Sequence, residues 1–73
     1  MKQEALKLFD TVAMLKDSPE NKVVKGQVGS IVEELQNGVF EVEFVDKYGE
    51  TIASIAINET ELMLLHFEME YAR

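Results

Sequence analysis

The sequence predicts an all-β fold, a small five-stranded SH3-like barrel with one short helical turn before the last strand. Three observations carry that expectation. Apolar and polar residues alternate with a period of two through most of the chain, the pattern of strands that bury one face. Gly26, Gly29, Gly38, Gly49 and Pro19 fall as punctuation between the apolar segments, at the spacing of a small all-β domain. Asn37-Gly38, set between two alternating runs, is the strongest short hairpin signal in the chain.

Residues 1–9, MKQEALKLF, carry helix formers but are too few for a stable isolated helix, so a short turn or an irregular lead-in is expected. Asp10 to Leu15, DTVAML, alternates as a first strand, with Val12 and Met14 on one face and Thr11, Ala13 and Leu15 on the other. KDSPEN ends it. Pro19 fixes its own φ and biases Ser18 toward an extended conformation, and Val23 and Val24 are expected to pin the following loop onto the core.

Gly26 and Gly29 lead in a second strand, Val28 to Leu35, where a backbone without Cβ can take a bulge or a positive φ. Asn37-Gly38 then suits a type I′ turn, so Val39 to Val45 should return antiparallel, with Phe40, Val42 and Phe44 inward and Glu41 and Glu43 in water. DKYGE turns around Gly49 into a fourth strand, Thr51 to Ile57. Asn58 or Thr60 can cap the free amides of a 3₁₀ or α turn at Asn58-Glu-Thr-Glu. Beyond it Met63, Leu65, Phe67, Met69 and Tyr71 alternate with Leu64, His66, Glu68 and Glu70, the period of a last strand that residues 66–73 extend.

Seventy-three residues make one domain, and a chain this short buries only about 60% of its unfolded surface, so self-association would widen a thin margin. A hydrophobic share of 47% with 29% charged residues belongs to a folding domain and not to a disordered tail. Without cysteine there is neither a disulfide nor a zinc–thiolate site, which suits a reducing cytoplasm. No signal peptide or membrane span is expected, because no apolar run is long enough. Fourteen acidic and seven basic residues leave a net charge of −7, which repels phosphate backbones and anionic membranes and attracts basic protein surfaces.

LFDTVAML, DSPE, KGQVGSIVEEL, EVEFVD, a glycine in the next turn, an alanine-containing strand and the ETEL turn together resemble domain-of-unknown-function family 4926, a group of short bacterial proteins. The resemblance covers about residues 8 to 65. It implies an SH3-like fold and carries no catalytic residue. HFEMEYAR extends past the shared pattern. Lys25-Gly26-Gln27-Val28-Gly29-Ser30-Ile31-Val32 also resembles, more loosely, the KOW element of ribosomal and transcription proteins, although glycines at that spacing serve the turn of any SH3-like barrel.

Nucleic-acid binding through the loops of such a KOW-like module is the alternative function. It needs a basic stripe with aromatic platforms. Lys16, Lys22 and Lys25 could cluster at the first loop, but Glu20, Glu33 and Glu34 lie close in sequence and oppose it. Glu41 and Glu43, with Glu33 or Glu34 opposite, could gather oxygens for a hard cation such as Ca²⁺, yet an open strand face reads better as a solvated surface that discourages aggregation. The same openness argues against an acid–base pair. His66 stands alone, and Ser18, Ser30 and Ser54 have no companion pattern that would make a nucleophile, so neither catalysis nor a metal or other cofactor is expected. His66 is expected as a partly exposed strand residue or interface contact, and the Tyr48 ring is expected to pack against the barrel.

The residues singled out for contact are therefore Phe67, Met69 and Tyr71, an apolar stripe that would be an association-prone edge in water, with Glu68 and Glu70 at its rim. The expected partners are a second copy of the chain and a basic protein, and the expected function is that of a cytoplasmic, non-enzymatic acidic interaction module.

Overall fold

The computed structural model describes residues 5–66. Among these residues five antiparallel strands form one sheet: β1 (Thr11–Met14), β2 (Val28–Gln36), β3 (Val39–Val45), β4 (Thr51–Asn58) and β5 (Leu62–Leu64). Their order across the sheet is β4-β3-β2-β1-β5, a four-strand meander to which the last strand returns beside the first. Short 3₁₀ turns occupy Pro19–Asn21 and Glu59–Glu61, the second of them directly before β5 as the sequence anticipates.

The connection from β4 to β5 dictates curvature. In a flat five-stranded sheet the outer strands would be four spacings apart, roughly 19 Å. Four residue steps, Asn58 to Leu62, reach at most about 14 Å even when fully extended, and here three of the residues are wound in a 3₁₀ turn. The sheet must therefore curl until the end of β4 comes near the start of β5. Asn58 fixes that turn by accepting a hydrogen bond on Oδ1 from the Thr60 amide at 2.9 Å, and the Glu59 amide donates to the Gly38 carbonyl at 2.7 Å, tying the turn to the β2–β3 hairpin.

Curling encloses an apolar core. Val12, Met14, Val23, Ile31, Phe40, Val42, Phe44, Ile57 and Leu62 are buried, Ile55 and Leu64 pack against them, and no polar side chain is buried among the described residues. In β3 burial follows the alternation that places Phe40, Val42 and Phe44 inward. Burying side chains of this size contributes roughly 1.5–3 kcal/mol each before entropy is counted. Leu6, in the lead-in, joins the core. The Asp10 carboxylate holds that segment by accepting from the Lys7 amide at 3.0 Å and its ammonium at 3.1 Å.

Four details differ from expectation. Gly38 has φ +77° but Asn37 has no positive φ, so the hairpin turn is not type I′; a register shift between Glu34 and Gln36 accommodates the reversal instead. Gly26 and Gly49 do take positive φ, whereas Gly29 does not. Its role is close packing: a Cβ there would stand 2.8 Å from the Glu43 carbonyl oxygen, Phe44 Cδ1 and Val42 Cγ1. Val23 is buried but Val24 is 57% exposed, so only the first anchors the loop, through a ladder-like bridge to Ser18. Finally, β5 is three residues long and turns Leu62 and Leu64 inward with Met63 outward, because its phase follows β1, where Met14 faces Leu62 and Val12 faces Leu64.

Candidate functional site

An all-apolar interior places any site formed by the described residues on the surface, and two regions stand out there. On β3, Glu41 lies between Glu33 of β2 and Ala56 of β4, and Glu43 lies between Ser30 and Ser54. Like charges directly opposite repel, and β4 offers hydroxyls. Ser54 Oγ donates to Glu41 Oε2 at 2.6 Å, and Thr51 Oγ1 donates to Glu43 Oε2 at 2.7 Å. Both carboxylates therefore turn toward β4 and away from Glu33. The described residues contain no group of three or more His, Asp or Glu side chains placed to hold a metal ion.

The second region lies on the same outer face at the other end of the sheet. Ala13 of β1 sits in register between Val28 of β2 and Met63 of β5, both about half exposed at 45%, and Leu15 continues that row at 42%. A Lys16–Glu61 ion pair at 3.6 Å lies beside it. From this end the chain runs on past β5.

Phe67, Glu68, Met69, Glu70 and Tyr71 lie outside the described residues. His66 is exposed and sits two residues past the end of β5, so it is not a strand residue. The Tyr48 ring does not pack on the barrel: Tyr48 is 78% exposed and its ring faces the Lys47 ammonium, 5.4 Å from the centroid. The loop beneath is held by Asp46 Oδ1, which accepts from the amides of Tyr48 and Glu50. Of the lysines suggested for phosphate contact, Lys16 is engaged by Glu61, and the Lys25 amide donates to Asp17 Oδ1 at 2.8 Å.

Phe9 is a residue that sequence reasoning passed over. It holds φ +72° while 79% exposed, with Leu8 beside it 46% exposed, and its amide donates to the Ile31 carbonyl at 2.8 Å. An aromatic residue at positive φ is uncommon, and nothing in KLFD announces it.

The model of the family described as Domain of unknown function (DUF4926) matches residues 8–64, a span that contains all five strands. No curated protein and no solved structure matches the chain. No helix among the described residues is long and apolar enough to cross a membrane.

Proposed function

We propose that this chain, which belongs to the DUF4926 family, is a non-catalytic acidic interaction module that associates with itself and masks a basic partner protein, in the manner of an antitoxin. The observation that carries the reading is the exposed apolar set of Met63, Val28 and Leu15 around the buried Ala13 on the outer face, at the end of the sheet from which the chain continues. A contiguous apolar surface on a small domain costs free energy in water, and covering it recovers that cost. Phe67, Met69 and Tyr71 add an apolar stripe to the contact, and Glu68 and Glu70 at its rim select for positive charge. The net charge of −7 draws basic proteins and speeds encounter with them.

Light scattering of the full chain beside a chain ending at His66 tests the self-association. The expected result is a dimer or larger species that shortens to a monomer on truncation. Val28→Lys in the full chain should act in the same direction. Monomers throughout would remove self-association from the reading.

A further inference from the structure

We propose that the free edge of β4 receives an extended basic segment of a partner protein as a sixth strand. This rests on the interaction-module reading and supplies it with a surface and with the partner's chemistry.

Among the described residues the backbone of β4 is paired on one side only, to β3. Hydrogen-bonded and non-bonded pairs alternate along an antiparallel ladder. Because the Glu59 amide donates to the Gly38 carbonyl, the bonded pairs that follow are Ile57 with Phe40, Ile55 with Val42 and Ala53 with Phe44. Ser54 and Ala56 therefore direct their N–H and C=O groups away from the sheet, whereas the Asn58 carbonyl is taken up by the 3₁₀ turn that follows. Among the described residues no strand pairs with Ser54 and Ala56 on that side.

Proteins usually blunt such an edge with charge, proline, a very short strand or a covering element. β4 is eight residues long, reads TIASIAIN, and has no charge and no proline. Its outward side chains at Ser54 and Ala56 are small enough to let another strand approach. An added strand would lie about 4.8 Å beyond β4, and Glu41 and Glu43 already lean toward it through the Ser54 and Thr51 hydroxyls. A lysine or arginine opposite Ser54 or Ala56 would extend back to those carboxylates. On the inner side, Ala53, Ile55 and Ile57 would meet apolar residues, so the segment alternates basic and apolar side chains. A second β4 would fit poorly, since two-fold pairing of these edges brings two carboxylate pairs toward one seam in chains that already carry −7 each.

The test uses the full chain and a fluorescein-labelled peptide of alternating arginine and valine, read by anisotropy at low salt, beside the same peptide with glutamate in place of arginine. Only the arginine peptide should bind. Amide hydrogen exchange at Ser54 and Ala56 should slow on its addition. Ala56→Pro removes an amide that faces the free edge and spares the ladder to β3, and should weaken binding by roughly tenfold or more. Glu41→Gln with Glu43→Gln should weaken it by roughly threefold to tenfold and flatten its salt dependence, the size expected of two surface ion pairs. If the arginine peptide does not bind, or the glutamate peptide binds equally, or exchange at Ser54 and Ala56 is unchanged, the edge is not the site. A dimer of the protein alone that Ala56→Pro dissolves would replace the basic segment with a second copy. Each of these failures leaves the truncation experiment above to judge the broader reading.

Discussion

A β-carbon on Gly29 would have to enter space held by a backbone carbonyl and two buried side chains, each at 2.8 Å. Phe44 and Val42 can rotate only into a filled core, and the Glu43 carbonyl moves only with its strand. Overpacking of this kind costs typically 1–3 kcal/mol, so Gly29→Ala should destabilise by about 3 kcal/mol, a large share of what so small a domain possesses. The urea midpoint should fall with the slope unchanged, and an unchanged midpoint would show that the strands spread at no cost. Phe9 works in the opposite sense. A side chain at positive φ costs about 1–2 kcal/mol, and a ring 79% exposed returns little of it by burial. Phe9→Gly should therefore raise the melting temperature by about 4–8 °C; a lower one would mean that the ring makes a stabilising contact. Glycine at position 29 was legible in the sequence as a special residue, but not for this reason, since a turn and a close approach both require the same missing Cβ. The φ of Phe9 was not legible at all, because the pairing of its amide with the Ile31 carbonyl sets it from outside the segment.

At the scale of elements, the turn between β4 and β5 decides whether the sheet can curl. Asn58 Oδ1 accepts from both the amide and the hydroxyl of Thr60, at 2.9 and 3.0 Å. Asn58→Ala removes both bonds and should cost about 1 kcal/mol, while Asn58→Asp keeps them and should cost little; thermal melts in which alanine and aspartate behave alike would sink the capping role. This turn could be read from Asn58-Glu-Thr-Glu, because a cap is a local interaction. β3 could be read to its ends for a related reason: it has neighbours on both sides, so its inward and outward residues differ sharply. β5 could not. Alternation in MLLHFEME continues whether or not a neighbour exists, and the length and phase of β5 belong to β1, which has only four residues. The outward direction of Glu41 and Glu43 followed from the same alternation. Their Ser54 and Thr51 partners did not, because those bonds are diagonal and depend on register, including the shift between Phe44 and Val45.

For the whole molecule, charge and shape combine. Curling the sheet places its carboxylates on a small curved surface, and with a net charge of −7 their mutual repulsion opposes compaction. The described ion pairs, Lys7–Asp10 and Lys16–Glu61, have exposed ammonium groups, and exposed pairs are worth 0–1 kcal/mol each. Salt weakens both effects, shortening the screening length from about 30 Å at 0.01 M to about 8 Å at 0.15 M. Repulsion acts over the longer range and among more groups, so its loss dominates: the melting temperature should rise between those two salt concentrations. Affinity of the β4 edge for an arginine-rich strand should move the opposite way, since there the screened interaction is attractive. Opposite slopes in the two measurements would assign the same carboxylates a cost in folding and a benefit in binding. A melting temperature that falls with salt would instead mean that the ion pairs outweigh the repulsion, and the acidic surface would then need no partner to explain it.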